Sequence, residues 1–106
     1  MRLSISNGTE IIGPSDEQIR EALSSLDVGR DGEGFAILGA SDMAYVQVGG
    51  DSELGFDIEY QEGRVSAHYR AVREDYTLDD VVAVLIAYRD GNIDWAEIGE
   101  FRRITW

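Results

Sequence analysis

The chain has 106 residues and an ordinary hydrophobic content of 43%, which suits one folded domain over residues 1–106 and argues against disorder. Its 21 acidic residues face nine arginines and no lysine, for a net charge of −12; that surplus would repel phosphates, which argues against nucleic acid and anionic membranes and favours either plain solubility or a basic protein partner. There is no cysteine, hence no disulfide, thiolate or zinc–thiolate chemistry, and no apolar run of signal or membrane-spanning length, so a cytoplasmic protein is expected.

In chain order, Arg2 to Ser6 alternates, with Leu3 and Ile5 on one side, and Asn7-Gly8 signals a two-residue hairpin turn into a returning strand at Thr9 to Ile12. Gly13-Pro14 breaks the pattern. Ser15 then caps a helix, Gln18 completes a capping box, and Ile19, Ala22, Leu23 and Leu26 make one apolar stripe that ends near Asp27. Gly29 to Gly34 reads as a polar loop. Short strands are expected at Phe35 to Leu38 and Met43 to Val48, the latter with Met43, Tyr45 and Gln47 on one face and Ala44, Val46 and Val48 on the other.

Gly49-Gly50-Asp51 reads as a turn into a strand from Leu54 to Tyr60, with Leu54, Phe56, Ile58 and Tyr60 facing in and Asp57 and Glu59 out. A two-residue turn at Glu62-Gly63 leads into Arg64 to Val72 and sets a register. Tyr60 would face Val65, Ile58 Ala67, Phe56 Tyr69 and Leu54 Ala71, all apolar pairs; on the other face Asp57 would meet His68, Glu59 Ser66 and Gly55 Arg70.

The longest element is expected from Thr77 to Gly91. Thr77 and Asp80 form a capping box, Leu78, Val81, Val82, Leu85, Ile86 and Tyr88 recur at helical spacing, and Gly91 closes the end. Val84, Ala83 and Ala87 make this helix apolar over more than one face, so it is covered on most sides or faces a partner. Asn92 to Glu97 reads as a short helical turn capped by Asp94, and Phe101 to Trp106 as a last strand with Arg102, Ile104 and Trp106 on one side. The fold class is α+β: a mostly antiparallel sheet of about five to seven short strands with two main helices.

Four groups of residues are candidates for function. Asp57, Glu59, His68 and Arg70 share the outer face of the hairpin, and His68 is the only histidine. Beside Asp57 it could be an oriented general base, but catalysis also needs a nucleophile or polarised water and a pocket, which the sequence does not supply. The alternative is a solvated cross-strand charge pair, and a flat mixed-charge face suits a protein partner better than catalysis. Asp90 to Asp94 with Glu97 spaces oxygens like the start of a calcium loop, yet Trp95 stands where the loop needs glycine and Glu97 comes too early, so no metal site is expected. Trp95 and Trp106 are either binding anchors or core plugs. The glycine turns form no phosphate-binding pattern, and no cofactor is expected.

The segment from Thr77 through Tyr88, the glycine turn at Gly91 and Trp95 resembles the C-terminal half of immunity proteins from bacterial polymorphic toxin systems, in particular the small acidic α+β set that neutralises deaminase toxins. Tyr45-Val46-Gln47 and the hairpin from Glu59-Tyr60 to Tyr69 are compatible with that family. The chain departs from it at Ile93-Asp94, where Arg-Pro often precedes the tryptophan. The resemblance implies a non-enzymatic protein that binds a secreted toxin domain and blocks its active site; the acidic charge favours a basic target, and the residues themselves suggest Asp57, Glu59, His68 and Arg70 on the hairpin face, with Trp95, as the contact residues. A homodimer joined through a sheet edge or the apolar helix is the alternative.

Overall fold

The structure, a computed structural model, describes residues 1–26 and 34–104. Trp106, Asp27 and all of the Gly29 to Gly34 loop except Gly34 lie outside the described residues, and the first helix ends at Ser24, with Ser25 as its C-cap, a little before the expected end. The strands are β1 (Arg2–Ile5), β2 (Glu10–Ile12), β3 (Phe35–Gly39), β4 (Ala44–Asp51), β5 (Gly55–Glu62), β6 (His68–Ala71) and β7 (Phe101–Arg103). The helices are α1 (Asp16–Ser24), α2 (Leu78–Asp90) and α3 (Trp95–Ile98). The fold is α+β. All seven strands form one antiparallel sheet in the order β2-β1-β3-β4-β5-β6-β7.

Both main helices start where their caps say. Ser15 Oγ accepts from the Gln18 amide at 3.1 Å while Gln18 Oε1 accepts from the Ser15 amide at 2.9 Å. Thr77 and Asp80 make the same reciprocal pair, and Gly91 closes α2 in the left-handed conformation with φ of 76°. These bonds satisfy amides that the first turn leaves without a helical partner. The two helices run antiparallel across one face of the sheet, clamped at both ends: Arg20 reaches Asp79 at 2.9 Å, and Arg89 bonds Asp16 at 2.6 Å and the Pro14 carbonyl at 3.1 Å. Between helices and sheet lies the core, in which Leu3, Leu38, Val46, Val48, Phe56 and Ile58 meet Ile19, Leu23, Val81 and Leu85.

The alternation of β1, β4 and β5 assigned the inner and outer faces correctly, but three connections differ from expectation. The first hairpin has a three-residue loop, Ser6 to Gly8, so Leu3 pairs with Ile11 rather than Ile12. This register keeps Ile11 inside and the charged Glu10 outside, and Gly8 takes the left-handed position that such loops need, with φ of 95°. Next, Gly49-Gly50-Asp51 is not a turn. It extends β4, and the turn falls at Ser52 to Leu54, where Asp51 Oδ1 accepts from the amides of Glu53 (3.0 Å) and Leu54 (2.7 Å). Leu54 is therefore not an inward residue but 74% exposed.

The third difference is the β5–β6 register. Val65–Ala67 forms a short 3-10 turn, and the pairing slips by four residues: Tyr60 faces Tyr69, Glu59 faces Arg70 and Gln61 faces His68. A slip of an even number keeps the side chains of β6 on their expected faces, which is why the apolar pattern looked satisfied in the shorter hairpin; Val65, expected to face inward, lies instead in the 3-10 turn and is exposed. The longer connection lets Tyr60 stack on Tyr69 with centroids 5.0 Å apart, a gain of about 0.5–1.5 kcal/mol over plain burial that Val65 could not provide. Leu54 lies outside β5 and pairs with no residue of β6, and Ala71 pairs on its other side with Phe101 of β7.

Candidate functional site

The sheet has a second face, opposite the one on which α1 and α2 pack. One row of paired positions crosses all seven strands: Glu10, Ser4, Ile37, Gln47, Glu59, Arg70 and Arg102. Alternation puts Asp57 on the same face two residues from Glu59, and His68 two residues from Arg70. Four of the five sequence candidates are thus brought together: Asp57, Glu59, His68 and Arg70.

Their contacts are specific. The Arg70 guanidinium lies among three carboxylates, with Nη2 at 3.2 Å from Glu74 and 3.9 Å from Asp57, and Nε at 3.7 Å from Glu59. The other oxygen of Glu59 is 3.1 Å from His68 Nε2. His68 Nδ1 is 3.1 Å from Gln61 Oε1, and the Gln61 amide nitrogen donates to the Met43 carbonyl at 3.0 Å. That last bond orients the Gln61 amide so that its oxygen faces His68 Nδ1. The ring edge of Tyr45 meets His68, with centroids 6.2 Å apart.

Two expectations for His68 change here. Its carboxylate partner is Glu59, not Asp57, because of the four-residue slip. It is also not solvated: the side chain is only 2% exposed and both ring nitrogens are engaged. A general base needs a nitrogen free to take a proton from a substrate, so this histidine acts instead as a fixed strut between β5 and β6. Hydrogen bonding holds the row in one arrangement, which lowers the ordering cost of presenting it to another molecule.

Asp57 carries an electrostatic tension. Burial raises its carboxyl pKa above the ordinary value; Arg70 and the Gly49 amide pull it down and Glu59 pushes it up, with burial prevailing. The folded state therefore holds this proton more tightly than the unfolded chain does. Stability falls as pH rises from the ordinary carboxylate value through the raised one, and above that window the burden of the ionised group is fully present. Asp57→Asn should accordingly stabilise the free protein at neutral pH, with the gain shrinking to nothing as pH falls below the window. Urea melts of both proteins across the acid range check this; a variant less stable at neutral pH would show that Arg70 and Gly49 outweigh burial.

Trp95 does not join the row. It lies on the helix side of the sheet, where its ring stacks flat on Tyr60 at 3.8 Å and meets Phe101 edge-on at 5.5 Å. Gln61 and Glu74 do belong to the site and were not singled out from sequence. Gln61 continues the outward alternation of Asp57 and Glu59, a signal that the expected turn at Glu62 hid. Glu74 lies four residues beyond Arg70 and carries no pattern. A hollow of about 600 Å³ opens on the same face towards β1, lined by Arg2, Ser4, Ile37, Tyr45 and Gln47. Among the described residues no three histidine or carboxylate side chains converge as a metal site, and no helix is long and apolar enough to cross a membrane. Searches against known protein families, curated proteins and solved structures found no match to this chain.

Proposed function

We propose that this chain is a non-enzymatic acidic binding protein of the immunity type, which occludes a basic toxin domain with the open face of its sheet. The observation that carries the reading is the locked polar row of Asp57, Arg70 and Glu59 on the sheet face away from the helices, braced from beneath by the buried His68 and Gln61. A scaffold of paired strands holds it rigid, and the hollow beside it gives the face relief. The net charge of −12 would draw in a basic partner and raise its association rate.

Affinity capture with the intact chain as bait, at low and high salt, comes first. A single basic protein retained at low salt and weakened at high salt is the expected result. With that partner in hand, charge reversal of both Asp57 and Glu59 to lysine should slow association about tenfold or more, because steering contributes a factor of that order. Because Glu59 also holds His68, Asp57→Lys alone serves as the milder control. Unchanged association kinetics in both variants would remove this face from the interface.

The homodimer alternative has less to build on. The two edge strands, β2 and β7, are three residues each, and short edges are poor templates for pairing. The large apolar side chains Val81, Val82, Val84 and Leu85 of α2 are buried within the protomer. Sedimentation velocity at micromolar concentration should show a monomer.

A further inference from the structure

The apolar breadth of α2 is not fully used by the core. One side meets the sheet and another meets α1, but Ala83 is exposed and Ala87 only half-buried, one helical turn apart in a row. Together with Ile93 and Ile98 from the segment that follows α2, they floor a groove of about 390 Å³. Tyr76 closes one end, its hydroxyl donating to the Ile98 carbonyl at 3.3 Å.

The rim has one sign of charge. Asp79, Asp80, Asp94 and Glu97 line the groove, and no arginine does so among the described residues. Asp80 and Asp94 also serve as helix caps, which fixes their carboxylates in place without neutralising them. Arg20 and Arg73, which approach through Asp79 and Tyr76, are each already paired with a carboxylate, Asp79 and Asp75 respectively.

An apolar floor between carboxylate walls complements a segment with apolar side chains on one stripe and cations along its flanks. We propose that this groove docks an amphipathic, basic helix of a partner protein. The two alanines permit close approach of a helix axis, towards the short end of the roughly 8–10 Å range of helix packing. The docked helix would lie alongside α2, on the side not taken by α1. This surface belongs to the helix layer and the polar row to the opposite face of the sheet, so each stands or falls without the other.

The test uses the full chain and a synthetic amidated peptide of leucine and lysine in helical spacing. Two control peptides accompany it: one with glutamate for lysine and one with serine for leucine. Backbone and methyl NMR shifts on adding the first peptide should cluster at Ala83, Ala87, Ile93 and Ile98. Ala83→Arg, which fills the floor at an exposed helical position, and Glu97→Arg, which breaks the rim, should each weaken binding about tenfold. Asp57→Lys, on the opposite face, should leave it unchanged. Equal binding of the leucine-free peptide would reduce the effect to nonspecific charge attraction and overturn the proposal. So would shifts centred on the sheet face, undiminished binding by Ala83→Arg, or no binding at low salt.

Discussion

Gly50→Ala is expected to destabilise the protein by about 2–5 kcal/mol, the combined scale of a strained left-handed backbone and a steric insertion into packed structure. Gly50 sits inside β4 with φ of 110°, opposite Phe56. A Cβ there would run into the carbonyl oxygen of Gly55, which is backbone and has no rotamer by which to yield. Gly55 is itself confined, since a Cβ on it would come within 2.9 Å of Asp75. The chain therefore uses glycine twice at one end of the β4–β5 ladder, where the segment before α2 crosses and Phe56 bridges to Tyr76. An exposed turn at Gly49-Gly50-Asp51 would make the same substitution cheap. Chemical denaturation of Gly50→Ala beside Gly63→Ala separates the two cases: Gly63 also has positive φ, but a Cβ there meets nothing within 4 Å. Equal losses for the two variants would argue that φ alone, and not the close approach, constrains Gly50.

Tyr60→Ala should cost about 3–5 kcal/mol, as removal of a buried aromatic ring does. Tyr60 is the hub of the aromatic cluster: Trp95 lies flat on it at 3.8 Å, Tyr69 stacks at 5.0 Å and Phe101 meets it edge-on at 5.0 Å. The loss is expected to be uneven along the chain. α3 has four residues, none of them fully buried, and Trp95 is its main anchor. Hydrogen exchange should show α3 and β7 opening in Tyr60→Ala while α1 and α2 keep their protection. Tyr60→Phe retains the ring and should keep both the stack and the protection. Uniform loss of protection throughout the chain would mean that the cluster is not a local anchor but part of the cooperative core.

The α+β class, the two main helices and their caps were all legible in the sequence, because each rests on residues a few positions apart. Ser15 with Gln18 and Thr77 with Asp80 close their bonds within one helical turn, so no distant partner has to be known. The inward and outward faces of β4 and β5 were legible for a similar reason: side chains alternate with period two whatever the strand pairs with. That alternation placed Asp57, Glu59, His68 and Arg70 on one face.

It could not decide which of them touch. Registers that differ by an even number of residues give the same alternation, and the sequence offered a short hairpin that satisfied it. The tertiary structure chose the longer one, in which Tyr60 stacks between Tyr69 and Trp95. That choice gave His68 to Glu59 and Gln61 and buried it. The extension of β4 through Gly49 and Gly50 was likewise decided by a distant segment crossing at Asp75 and Tyr76. The groove beside α2 shows both sources at once. Its surplus of small apolar residues was visible in the helix pattern, but the second acidic wall, Asp94 and Glu97, faces Asp79 and Asp80 only because α3 folds back along α2. Periodicity and capping are local and survive in the one-dimensional chain; register, depth and the meeting of separate surfaces depend on contacts between residues far apart in sequence.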